Sequence, residues 1–238
     1  MVPEKQINEF VGRLRDAAGS NLKSVILYGS AAVGDYVPDY SDVNLLCVLE
    51  TGAFSTIKAL GPVVESWGKQ KQRVPLLMTL EELQRGADVF SIEFLDMKQS
   101  YRVLLGDDPL KSLTIPMKLH RAQVEYELRE KVILLRQRLL MTATDTNGKW
   151  ELLLRSVPAF ATLARHALIA MGETASMSKR EAVEKLAAKA GFDASPFLDL
   201  LDVREHKIER SKFNVDELFA RYLQAVEKTT SSVDAMLD

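Results

Sequence analysis

The 238-residue sequence predicts an α/β (α+β) fold with a mixed sheet in its first part and an all-α helical bundle in its second. Two observations carry that class. Short apolar runs bounded by turn residues alternate with helical periods as far as Gly106-Asp107-Asp108-Pro109, and from about Pro116 onward strand-like runs disappear while long helical periods take over. The expected domains are therefore 1–115 and 116–238. With 47% hydrophobic residues the chain has a sizeable core to bury.

Each element has its own signal. Ile7, Phe10, Val11 and Leu14 recur at helical spacing after Pro3, and Gly19 supplies a stop. Residues 23–28 and 43–49 read as buried strands, separated by a loop rich in Gly, Asp, Pro and Tyr. Residues 55–67 read as a helix interrupted near Gly61-Pro62, and residues 73–78 as a third strand with its proline at the start. Thr79 and Glu82 have capping-box spacing for a short helix, after which residues 90–96 alternate like a fourth strand. In the second part the helical periods cover 117–140, 149–171, 179–190, 196–208 and 215–236, with a turn-rich connection over 142–148. Ser178 before Glu181 and Asn214 before Glu217 mark two of the starts. No fixed-period repeat is present, which sets solenoid architectures aside.

Composition narrows the function classes. A formal net charge of -2 gives no global pull toward nucleic acid or anionic lipid, so small-molecule or protein partners are favoured over nucleic acid. The single cysteine, Cys47, lies inside an apolar run and has no internal partner, which suits a reducing compartment. No apolar segment reads as long enough to span a bilayer, and the N-terminus lacks a basic region followed by an apolar stretch. The expectation is a cytoplasmic protein with no membrane partner.

The chemistry concentrates between the first two strands. Tyr28-Gly29-Ser30 ends one strand, and Ser41-Asp42-Val43-Asn44 begins the next. A small turn after a strand lets backbone N–H groups and the Ser30 hydroxyl approach phosphate oxygens, helped by a following helix N-terminus. Alternation puts Asp42 and Asn44 on one face, where two oxygen ligands would share a metal pair.

This order of strand, Gly-Ser turn, short helix, loop and Ser-Asp-x-Asn strand resembles the nucleotidyltransferase superfamily that includes polymerase β. The resemblance covers roughly the first half of the chain. With a helical second domain, the layout is most similar to the aminoglycoside adenylyltransferases. The resemblance implies that Gly29, Ser30 and Ser41 serve nucleotide binding, and that Asp42 and the residue at 44 hold magnesium. It also implies transfer of a nucleoside monophosphate from an NTP, ATP foremost, to a hydroxyl acceptor such as an aminoglycoside or a protein.

Three departures weaken the expected metal site. Asn44 offers a neutral carbonyl oxygen where the family pattern has a carboxylate. Leu76 or Leu77 stands where the resemblance places a third acid, which the adenylyltransferases use in deprotonating the acceptor. Val33 precedes Gly34 where many relatives carry a basic residue. Glu93 and Asp96 on the expected fourth strand are the candidate replacements; they would face opposite sides, and Glu93 is the one taken as catalytic beside Asp42. Asp35 and Asp39 suit the chemistry of the loop's turns. The alternative function is a catalytically inactive, nucleotide-binding, regulatory or antitoxin-like interaction protein, with a protein partner or a homodimer formed through the second domain.

The remaining candidates read as structural. His120, His166 and His206 fit no zinc spacing, and the Arg-to-His spacings lack the ribonuclease pattern of some antitoxin partners. The basic residues over 117–140 interleave with Glu125, Glu127 and Glu130, as on a solvated, salt-bridged face. Lys98, Tyr101 and Arg102 near the domain junction are explained by surface packing as well as by nucleotide contact.

Overall fold

The structure, a computed structural model, describes residues 2–34, 36, 41–174 and 178–237. Asp35 and Asp39 lie outside the described residues. The chain divides into two compact units, Met1–Pro116 and Met117–Asp238.

The first unit is a four-stranded sheet with helices on both faces. In chain order its elements are α1 (Glu4–Ala18), β1 (Leu22–Tyr28), α2 (Ser30–Val33), β2 (Asn44–Leu49), α3 (Phe54–Gly68), β3 (Leu76–Thr79), α4 (Leu80–Arg85), α5 (Ser91–Gln99) and β4 (Tyr101–Gly106). The strand order is β3-β2-β1-β4; β1 runs antiparallel to β2 and β4, and β3 runs parallel to β2. Because side chains alternate, the two inner strands feed two cores. Val25, Leu27, Leu45, Cys47 and Leu49 pack with α1 and α3 on one face. Ile26, Leu46 and Val48 pack with Leu83, Phe94 and Met97 of α4 and α5 on the other.

Local chemistry explains the boundaries. Helix α1 ends where Gly19 adopts φ 55°, a conformation that costs glycine little. Thr79 accepts from Glu82 N–H while the Glu82 carboxylate accepts from Thr79 N–H, so α4 starts in a complete capping box. The expected break at Gly61-Pro62 does not occur. Leu60, Val63 and Trp67 form one buried face across Pro62, and that packing carries α3 through the position where proline has no N–H to donate. The phenyl ring of Phe10 on α1 stacks on the indole of Trp67 with centroids 4.3 Å apart.

The expected fourth strand over residues 90–96 is a helix. Alternation of Phe90, Ile92 and Phe94 imitated a strand, but Phe90 is 47% exposed, whereas Ser91, Phe94 and Met97, three residues apart, are buried. That is a helical period. Glu93 therefore sits on α5, where residues 93 and 96 are neighbours on one side of a helix rather than opposed across a strand. The sheet's fourth strand is the next segment, β4. The third strand is also shorter than expected, beginning at Leu76.

The second unit contains α6 (His120–Thr142), α7 (Thr146–Ala170), α8 (Lys179–Ala190), α9 (Ser195–Arg204) and α10 (Val215–Leu237). The expected connection over 142–148 shrinks to 143–145, because Asp145 caps α7 by accepting from Asn147 N–H. Helix α7 is the centre of the bundle. By length and composition it would span a bilayer, contrary to the sequence expectation, yet 67% of its apolar window is buried within the fold. Phe160, Phe197 and Tyr222 interlock α7, α9 and α10, and the Tyr222 hydroxyl lies 3.1 Å from the Ser156 hydroxyl. His120 and His166 are buried with their rings 5.2 Å apart. Arg129, Lys131 and Arg136 of α6 pair with Glu125, Glu127 and Glu227.

Candidate nucleotide-binding site

Strand β1 delivers the chain to the site. Tyr28 pairs with Asn44 on β2 and with Tyr101 on β4, so all three lie in register at one end of the sheet. The chain then turns at Gly29 with φ 77° and ψ -157°, a region open essentially to glycine alone. Gly29 N–H donates to the Ser100 carbonyl at 2.8 Å, which ties the turn to the segment between α5 and β4. A Cβ on Gly29 would lie 3.4 Å from Asn44 Nδ2, so the Asn44 amide packs directly against the turn. Ser30 opens α2, a helix of four residues.

Asp42 precedes β2 and Asn44 is its first residue. Both meet one side chain that the sequence did not single out. Arg73 Nη1 lies 4.0 Å from Asp42 Oδ2 and donates to Asn44 Oδ1 at 3.4 Å. The residue is held from behind, because the buried Trp67 donates its Nε1–H to the Arg73 carbonyl at 3.0 Å. Arg73 ends a stretch, Lys69-Gln70-Lys71-Gln72-Arg73, that reads as an ordinary solvated charge run. Its one sequence signal is its position just ahead of the strand beside β2.

Cross-strand partners share a face, so Asn44 stands with Tyr28, and with Leu46 and Val48, on the side of the sheet that α5 covers. Glu93 approaches this face from α5. Burial pushes the Tyr28 phenol above its ordinary value, the Arg73 guanidinium pulls it down, and the Glu93 carboxylate pushes it up. Tyr28 thus feels both groups.

On β3, Leu76 pairs with Leu46 and Leu77 with Cys47, placing Leu76 on the Asn44 face. Leu76 is 40% and Leu77 36% exposed, so an apolar edge occupies the position expected for a third acid.

These donors do not fit a magnesium pair. Magnesium takes hard oxygens, carboxylates above all. Among the described residues, the start of β2 offers one carboxylate, Asp42, and one amide oxygen, Asn44, and both face a guanidinium. Among the described residues no three His, Cys, Asp or Glu side chains are grouped to hold a metal ion.

Three flanking residues have structural partners. Lys98 donates to the Leu113 carbonyl, Tyr101 to Asp108, and Arg102 forms a two-point contact with the Glu4 carboxylate.

The nucleotidyltransferase domain family matches residues 5–100, the segment that contains β1, the Gly29 turn, Asp42, Asn44 and Arg73. No curated protein matches the chain. Among solved structures, spectinomycin adenyltransferase AAD(9) from Enterococcus faecialis, determined with ATP and spectinomycin, is similar with a TM-score of 0.59 at 16% identity. That similarity covers 97% of this chain and 99% of the other, so it extends through the helical second part. The chain is a nucleotidyltransferase-fold protein that resembles the aminoglycoside adenylyltransferases, with a helical C-terminal part.

Proposed function

We propose that this protein binds a nucleoside triphosphate, ATP foremost, at the Gly29 turn and has lost the nucleotidyl transfer that its fold supports elsewhere. The observation that carries this reading is the make-up of the edge beside Asp42, an amide at 44 and a leucine at 76. Asn44 and Leu76 stand on one face beside Asp42, and the Arg73 guanidinium lies 4.0 Å from the Asp42 carboxylate. Gly29 has backbone geometry that lets a phosphate approach the turn, and Ser30 follows it as the first residue of α2. A glycine turn open to phosphate next to an edge with one carboxylate fits nucleotide recognition put to a regulatory or interaction use.

A second reading is transfer of NMP from a magnesium-bound NTP to a hydroxyl acceptor, a small molecule such as an aminoglycoside or a protein, with Asp42 and Glu93 as its acids. What favours it is the placement of Glu93 near enough to act on Tyr28, the residue before the turn.

One experiment separates the two. ATP and the other NTPs are titrated calorimetrically into the protein, and pyrophosphate release is followed with magnesium over a panel of hydroxyl acceptors. Saturable binding without pyrophosphate is the expected result. Turnover that disappears on Glu93→Gln would replace the first reading with the second.

A further inference from the structure

We infer that the guanidinium of Arg73 takes the place of the divalent cation at the Asp42–Asn44 edge, so that this site recognises a polyphosphate without metal. The inference rests on the reading of the Gly29 turn as a nucleotide site. One nitrogen, Nη1, faces the Asp42 carboxylate at 4.0 Å and the Asn44 carbonyl oxygen at 3.4 Å, the two oxygens that would otherwise ligate a metal. A second cation there would be repelled by the first.

The amide at 44 suits this arrangement where a carboxylate would not. A carboxylate offers only acceptors, but a carboxamide offers an acceptor on one side and a donor on the other. Asn44 turns its Oδ1 toward Arg73, and its Nδ2 is the atom nearest to the Gly29 turn. This orientation follows from the hydrogen bond, since only the oxygen can accept from a guanidinium. An anion arriving at the turn would meet an N–H from Asn44 and the charge of Arg73, where a carboxylate at 44 would present two negative groups and need a cation between them.

Arg73 is also free to move to such a ligand. Its side chain is 65% exposed and that of Asp42 62%, so their attraction is screened by water and weak. Both described contacts use Nη1, and a guanidinium has five N–H donors suited to phosphate oxygens. The bond from Trp67 goes to the Arg73 backbone carbonyl, so replacing the side chain leaves the anchor intact.

The test has two arms on the full chain. In the first, ATP and inorganic tripolyphosphate are titrated in excess chelator into wild type, Arg73→Gln and Arg73→Lys, with circular dichroism as the check on folding. Binding in chelator that falls at least about tenfold in Arg73→Gln and partly returns in Arg73→Lys is expected; ATP affinity unchanged by Arg73→Gln would overturn the inference. Equal binding of tripolyphosphate would assign recognition to the phosphate chain alone, as the contacts above require. In the second arm, Mn2+ alone is titrated and followed by electron paramagnetic resonance. Wild type should bind none at this edge, and Arg73→Gln combined with Asn44→Asp should acquire a site. Mn2+ binding by wild type that Asp42→Asn abolishes would contradict the inference. Should no variant bind ATP under any condition, the nucleotide reading fails, while the Mn2+ arm still decides whether Arg73 occupies the cation's place.

Discussion

Arg73 Nη1 donates to Asn44 Oδ1 at 3.4 Å, joining the segment ahead of β3 to the first residue of β2 through a cation and an amide. The nucleotidyltransferase resemblance implies an anionic edge bridged by a metal there; here a guanidinium faces one carboxylate and one amide oxygen.

Because Arg73 and Asp42 are both exposed, their pairing adds little to folding. Arg73→Gln should change the stability of the first unit by no more than about 1 kcal/mol, measured by urea denaturation, while lowering nucleotide affinity. A larger loss of stability would mean that the side chain is structural.

Gly29→Ala should be costly for both fold and binding. It forces a side chain into φ 77° and ψ -157° and sets a methyl group 3.4 Å from the Asn44 amide. A destabilisation on the order of 1–3 kcal/mol is expected, with ATP binding weakened further than stability alone explains. Gly106→Ala serves as the contrast. Its Cβ would fall 1.8 Å from the Lys23 carbonyl oxygen, so it should destabilise the β1–β4 pairing at least as strongly, far from the nucleotide turn.

Cys47 should resist thiol reagents until the first unit unfolds. It is buried in β2, and burial pushes its thiol up to about 12, so at pH 8 almost no thiolate is present to react. Ellman's reagent should modify it at the rate of global opening. Rapid stoichiometric labelling of the native protein would show that β2 opens locally.

Tyr222 gives the second unit an alkaline limit. Burial raises its phenol above the ordinary value of 10.0, opposed by the hydrogen bond with Ser156. A raised folded value means stability fully present below pH 10.0 and lost as the pH rises through the folded value. Tyr222→Phe should lose about 1 kcal/mol at neutral pH from the hydrogen bond with Ser156, and should unfold less steeply in alkali by circular dichroism. An unchanged alkaline transition would place its cause elsewhere.

Helix α8 begins with a reciprocal cap, Ser178 accepting from Glu181 N–H and Glu181 accepting from Ser178 N–H. Ser178→Ala should cost about 1 kcal/mol in thermal or urea unfolding of the second unit. No effect would show that this helix start is held by packing instead.

Much of the fold was legible because it is local. The strands at β1 and β2 are buried on both faces and announce themselves as apolar runs, and the caps at Thr79 and Ser178 lie within three residues of their partners. Residues 90–96 misled because Phe90, Ile92 and Phe94 satisfy period two over five residues, while the helical set ending in Met97 becomes visible only over a longer window. The site was half legible. Gly29, Ser30, Asp42 and Asn44 are joined by short-range spacing, but Arg73 reaches Asn44 across 29 positions, its backbone carbonyl held by an indole whose own place depends on α1 packing against α3. Nothing in its neighbouring residues encodes that contact.

The most direct measurement is a crystal structure of the protein with ATP and Mn2+, using anomalous scattering to locate the metal. Phosphate density at the Gly29 turn contacted by Arg73 and Asn44 is expected, with no anomalous peak between Asp42 and Asn44. Two manganese peaks bridging Asp42 to the phosphates, with Arg73 swung away, would contradict it.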